Sequence, residues 1–219
     1  MSYKTVLVAL NEINRLDALE QHLNEQAEKP RGIERYEALN FGVNGYGTPQ
    51  ERLCYEVYGS KYHPDLVVLT MVRNDNLTQE EEIRLSLMGP RSYEKDFYLA
   101  RWAREMFQPQ VHRSFEGCVP ELIALDQACR RHGAALVVMV FRHQRTEEWQ
   151  QLADTISAGL AGTEIPYLDL GDVLLKDDAP RDLLVHPLTD HHPNEIAHGI
   201  AAEELEKFLR ERQLLSRHE

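Results

Sequence analysis

Short apolar runs alternate along this chain with segments whose apolar residues recur at helical spacing. Thr5 to Leu10 is the first run; after it, Leu16, Leu19 and Leu23 fall on one stripe of a helix. Pro30 and Gly32 break that segment. Tyr36 to Phe41 predicts a second strand, leading into the glycine-rich turn Gly42-Val43-Asn44-Gly45-Tyr46-Gly47. Thr48-Pro49-Gln50-Glu51 reads as a capping box with proline at the first helical position. Leu66 to Val72 is continuous and rich in β-branched residues, as in a strand buried on both faces. Thr78 and Glu81 form a second candidate capping box, and Tyr93 to Phe107 has aromatic and apolar residues at helical spacing. Pro120 opens a further helix and Gly133 closes it. Ala135 to Phe141 is the clearest buried strand, and Leu152, Ile156 and Leu160 mark the next helix. Pro166 to Leu170 is a short fifth strand, and the last helix starts at Pro193 and carries Ile196, Ile200, Leu205, Phe208 and Leu209.

This alternation predicts parallel βαβ units, with a sheet covered on both faces. About five strands fit a three-layer α/β/α, flavodoxin-like, doubly wound sheet. No internal repeat or low-complexity linker interrupts the pattern, which predicts a single domain over residues 1–219. Ligands in such folds bind beyond the carboxyl ends of the strands, so the loops after each strand carry the chemistry. Asn11, Glu12 and Asn14 follow the first strand, Asn44-Gly45 the second, and Arg73-Asn74-Asp75-Asn76 the third. Arg142-His143 follows the fourth, and Thr189-Asp190-His191-His192-Pro193-Asn194 leads into the last helix.

Each candidate has a chemical reading and a plainer one. Asp190 could accept the Nδ1–H of His192 and leave Nε2 as a base, or either residue could sit near a helix cap. Gly45 could offer an unhindered N–H to an oxyanion, or serve a tight turn. Asn74 could aim its amide at the same oxyanion, or form an Asx-type turn. His191, His192, Glu195 and His198 are close in sequence but give a single Glu-x-x-His pair with no cysteine nearby, so no metal is expected.

Composition narrows the partners. Hydrophobic residues make up 42% and charged residues 27%, an ordinary globular balance. A formal net charge of -12 repels nucleic acid and anionic membranes. No apolar run approaches the roughly 20 residues of a membrane span. Met1 to Val8 lacks the charged start and long apolar stretch of a signal peptide. Cys54, Cys118 and Cys129 are widely spaced, which suggests free thiols and predicts a cytoplasmic location.

Together these blocks resemble the SGNH hydrolases, also called GDSL lipases and esterases. Asn40-Phe41-Gly42-Val43-Asn44-Gly45-Tyr46-Gly47-Thr48 matches the family's second block. Asn74-Asp75 matches the Gly-Asn-Asp of the third block, with Arg73 in the glycine position. Asp190-His191-His192-Pro193-Asn194 matches the Asp-x-His-Pro-Asn before the last helix. The resemblance implies His192 as base, Asp190 as its orienter, and Gly45 and Asn74 as oxyanion donors. It also implies hydrolysis or transfer of an ester, thioester or acyl group without cofactor.

The first block departs. Gly-Asp-Ser is absent, and the strand runs Val6-Leu7-Val8-Ala9-Leu10-Asn11-Glu12. If Ala9 stands for the glycine, Asn11 occupies the nucleophile position; if Leu10 does, Glu12 occupies it. Ala9 is the small residue, which favours Asn11. No other serine falls at a strand end. Arg73, and with it Arg142, brings positive charge toward the crevice and would suit an anionic substrate group, with Asn44 and His143 beside it; pairing of Arg73 with Asp75 or a surface acid is the plainer alternative. Two functions compete: a hydrolase on a small acyl or ester substrate with an altered nucleophile, and a degenerate member that binds a ligand or a protein partner.

Overall fold

The computed structural model describes residues 3–9, 16–25, 33–43, 46–73, 75, 114–176, 182–186 and 190–216. Within these, five strands form one parallel sheet: β1 (Tyr3–Ala9), β2 (Arg35–Asn40), β3 (Leu66–Met71), β4 (Ala135–Val140) and β5 (Tyr167–Asp169). Their order is β2-β1-β3-β4-β5, the flavodoxin-like order, and every pairing is parallel. The register sets Val8 opposite Asn40, Ala9 opposite Leu69, Met71 opposite Val140, and Val140 opposite Asp169. These strand ends lie side by side and define the rim.

The residue patterns explain the order. β3 is buried at all its positions and β4 at all but its first, as central strands covered on both faces must be. Exposure varies along β2, with Tyr36 fully buried and Asn40 exposed, as suits an edge. Helices α1 (Leu16–Glu25), α2 (Thr48–Val57), α3 (Cys118–Arg131) and α4 (Glu147–Leu160) cover the sheet. α1 buries Leu19 and Leu23, and α4 buries Leu152, Ile156 and Leu160, the stripes that the spacing predicts. Gly133, at φ +78°, makes the turn from α3 to β4 in a conformation that favours glycine. A short helix α5 (Gly171–Leu174) follows β5, and α6 (Glu195–Glu211) packs against α1.

Three expectations are corrected. α2 is capped at Gly47 rather than Thr48, and Gln50 rather than Glu51 reaches back, accepting from the Gly47 N–H at 3.2 Å. Thr48 is instead held by Asp75, as described below. α6 begins at Glu195 rather than Pro193, because Asn194 takes the cap. The segment before it is not a plain loop: β6 (Leu184–His186) pairs antiparallel with β7 (Asp190–Pro193). The candidate cap at Thr78 and Glu81 and the helix over Tyr93 to Phe107 lie outside the described residues. No described helix is long and apolar enough to cross a membrane.

Candidate functional site

The chain reverses direction across the sheet at β1. β2 lies on one side of it and β3 on the other, so the topological switch point is the crevice between the carboxyl ends of β1 and β3. Ala9 closes β1 there and Met71 closes β3. Asn11 follows β1 in sequence, Asn44 and Gly45 follow β2, and Asn74 follows β3, but all four lie outside the described residues. Their flanks are described, and the flanks are joined. The Asp75 carbonyl accepts from the Thr48 N–H at 3.1 Å and from the Thr48 hydroxyl at 3.3 Å. The second and third sequence blocks therefore meet across this pair of bonds.

The Asp75 carboxylate is fully buried and accepts from the Val72 N–H at 2.6 Å. Glu51, on the first turn of α2, is also buried at 7% exposure. Burial first, and then the Asp75 charge, hold its carboxyl well above the ordinary carboxylate range. Sequence reasoning assigned Glu51 to the capping box. Its burial is set by the packing of α2, which the local pattern of polar residues did not reveal.

Asp190 and His192 both lie on β7. His192 is exposed. Neither is the helix cap. Asn194 fills that role, its side-chain oxygen accepting from the Ile196 and Ala197 N–H groups at 3.0 and 3.1 Å. The same side chain donates from Nδ2 to the carbonyls of Asp182 and Leu184 at 2.6 and 3.2 Å. The Asn194 N–H donates to the Leu183 carbonyl at 2.8 Å. One residue thus ties the β6–β7 pair to the start of α6. His198, one turn into α6, is buried with its ring 5.5 Å from Phe141, the residue that follows β4. That contact sets the start of α6 against the carboxyl end of the sheet, on the rim.

The Asn194 clamp gives a direct test. Asn194→Ala removes the cap, worth about 1 kcal/mol, and two side-chain bonds to the β6 side worth about 1 kcal/mol each. A stability loss of about 2–3 kcal/mol is expected in urea unfolding. Faster amide exchange at 190–193 should accompany it. A loss under about 0.5 kcal/mol would show that the clamp is ornamental.

Arg142 and Arg73 differ in commitment. Arg142 donates from Nε to Asp169 at 3.0 Å and from Nη2 to the same carboxylate at 2.7 Å. Nη1 donates to Gln150 at 3.0 Å. Both members of the pair are about 85% buried, with side-chain exposures of 14% and 15%. The Asp169 bonds hold the Arg142 pKa above its ordinary value. Gly171 leaves room for the guanidinium, which a Cβ there would overlap. Asp169 therefore compensates the charge that the sequence offered to an anionic ligand. Arg73 is exposed, with Glu148 at 3.8 Å, so it pairs with a surface acid rather than with Asp75.

His143 is buried at 3% exposure. Its Nδ1 faces the Phe141 carbonyl at 3.2 Å and its Nε2 the Gln144 amide at 3.0 Å. A neutral ring donating from Nδ1 and accepting at Nε2 fits both contacts. The ring also packs edge-on against Phe141 and Trp149. Beside Arg142, a groove of about 570 Å³ opens past the ends of β4 and β5, lined by Arg145, Thr146, Gln150, Asp172 and Lys176 among others. Among the described residues no cluster of three histidine, cysteine or acidic side chains could hold a metal.

Solved structures share this architecture at low sequence identity. An acetyl xylan esterase, AlAXEase, shares 13% identity over 93% of this chain and 98% of its own, with a TM-score of 0.62. A lipase/acylhydrolase from Enterococcus faecalis shares 10% over 97% of each chain, TM-score 0.59. TesA shares 14% over 95% of this chain and 99% of its own, TM-score 0.52. No family model and no curated protein matches the sequence. The chain shares the fold of these solved structures over nearly its full length. At these identities the likeness establishes architecture, and the chemistry rests on the chain's own residues.

Proposed function

We propose that the protein is an SGNH-type hydrolase acting on a small ester, thioester or other acyl substrate, with an altered nucleophile position. The observation that carries this reading is the β7 unit: the strand that holds Asp190 and His192 is tied by Asn194 to the start of α6, whose His198 lies against Phe141 at the carboxyl rim. The acetyl xylan esterase and the lipase/acylhydrolase that share this fold support the same class of chemistry. His192 serves as general base, Asp190 fixes its tautomer, and Gly45 N–H and the Asn74 amide hold the oxyanion. With Asn11 where the family has serine, His192 activates water instead, taking its proton as the water oxygen attacks the acyl carbonyl. The proton then passes to the leaving oxygen or sulfur as that bond breaks. The substrate is a small molecule, and neither nucleic acid nor a membrane takes part.

A second reading is favoured by one feature, the absence of serine after Ala9. There the protein binds its ligand, or another protein, without turning it over. One experiment separates the two. Hydrolysis of p-nitrophenyl acetate that His192→Ala lowers by about 100-fold or more supports the hydrolase. No hydrolysis above the buffer rate, with no labelling by a fluorophosphonate, supports the binding module.

A further inference from the structure

Among the described residues β2 is an edge of the sheet, with β1 on one side only. The outer side of such a strand is a row of backbone groups to which another strand can add. On β2 that row is taken by α1. The Tyr36 N–H donates to Asn24 Oδ1 at 3.0 Å, and Asn24 Nδ2 donates to the Tyr36 carbonyl at 2.9 Å. Two residues on, where the strand again turns its backbone groups away from β1, the Ala38 N–H donates to Glu20 Oε2 at 3.0 Å.

A side-chain amide presents a donor and an acceptor together, as a peptide group does. The Asn24–Tyr36 exchange is therefore the reciprocal pair of an antiparallel ladder, with a side chain in place of the neighbouring strand. Glu20, one turn earlier in α1, supplies the next acceptor. Four helix residues rise about 6 Å and two strand residues about 6.6 Å, so the two side chains meet alternate residues of β2 in step. Both side chains are fixed. Arg35 Nη2 donates to Glu20 Oε1 at 2.7 Å, and Asn24 Nδ2 also donates to the Glu20 carbonyl at 2.7 Å. Leu19 and Leu23 are buried and hold the helix to the core. Other edges are blunted by proline or by bulges. β2 has no proline, and its register with β1 runs over six residue pairs without a shift.

We propose that α1 guards the sheet edge: Asn24 and Glu20 occupy the outward backbone groups of β2 and keep a second copy of this chain from adding its own β2 there. A second copy is the partner this edge fits. Two β2 strands related by a two-fold axis run antiparallel and close the assembly, since one strand serves both copies. In the register centred on Tyr36, the exposed Arg35 of each copy stands opposite the exposed Glu37 of the other, a favourable cross-strand pair. The guard does not depend on what the site catalyses.

The test is sedimentation of the whole chain, parent against Glu20→Ala/Asn24→Ala, with amide exchange read along β2. The double variant frees the Tyr36 and Ala38 N–H groups and should self-associate about 100-fold more tightly than the parent. In the assembled form those two amides should again exchange slowly. Adding Ala38→Pro, which removes an outward N–H that an edge strand can lose, should return association to the parent's level. Unchanged association in the double variant overturns the proposal. So does association that survives Ala38→Pro, which would arise from apolar surface under a loosened α1. If the double variant does not fold, Asn24→Ala alone decides: tighter association must appear with it and vanish with Ala38→Pro. The parent supplies a check that needs no substitution. Its Tyr36 and Ala38 amides should exchange as slowly as that of Glu37, which faces β1; exchange at the rate of an open chain would show the edge unguarded and refute the proposal.

Discussion

Asn11→Ser is expected to raise hydrolysis of short aryl esters by about 100-fold or more over the unmodified protein. The expectation rests on what an amide cannot do. A serine hydroxyl gives up its proton to an adjacent imidazole and attacks the carbonyl as an alkoxide-like oxygen. The Asn11 side chain has no comparable nucleophile, so the reaction must use water, whose position nothing covalent fixes. Removing the nucleophile from a serine–histidine unit costs several orders of magnitude, and restoring it should recover a good part where base and oxyanion donors are already placed. Burst kinetics and fluorophosphonate labelling at residue 11 would accompany the gain. Glu12→Ser is the control for the alternative alignment and should change little, since β1 ends at Ala9, the small residue aligned with the family's glycine. A silent Asn11→Ser, in a variant that still folds, would mean that His192 and residue 11 are not within reach of each other. The binding-module reading would then stand.

The sheet was legible because its signals are long and redundant. β3 and β4 are six-residue apolar runs, and only a strand buried on both faces accommodates Leu66–Met71 or Ala135–Val140 in water. Helical stripes between the runs favour parallel pairing, which the sheet shows throughout. The β6–β7 pair was not legible. Leu184–His186 is three residues long, and Asp190–Pro193 holds a proline and two histidines, none of which favours a strand. That pairing exists because Asn194 links both sides of it to α6, a tertiary cause that a local pattern does not contain. The cap of α2 slipped for a similar reason. Thr48 is a good cap by type, but the Asp75 carbonyl claims it, and Gly47 takes the cap position with help from Gln50. Arg142 shows the limit for site residues. Its position at a strand end reads as a ligand contact; its partner Asp169, 27 residues away, is brought near by the β4–β5 pairing, which no local pattern contains.

Phe141→Ala should be the most damaging single truncation near the rim. The ring is fully buried, 5.9 Å from His143 and 5.5 Å from His198 by ring centroids. The Phe141 N–H donates to the Met71 carbonyl at 3.0 Å, so its backbone extends the β3–β4 ladder while its side chain fills the seam with α6. Loss of a buried phenylalanine costs about 3–5 kcal/mol, a large part of the roughly 5–15 kcal/mol that holds a domain together. For a chain of this size, thermal unfolding should move down by roughly 10 °C or more. Phe141→Leu keeps most of the apolar volume and should cost clearly less. The effect should also be local in kind. His198 leans on this ring, and the residues that precede α6 carry His192, so amide exchange at 190–194 should rise further in Phe141→Ala than at the middle of β3. A melting temperature within about 2 °C of the parent would show that the α6 seam does not depend on this ring. Equal exchange at both places would show that the strand bearing His192 is not anchored through it. Its position on the rim would then depend on the Asn194 clamp alone.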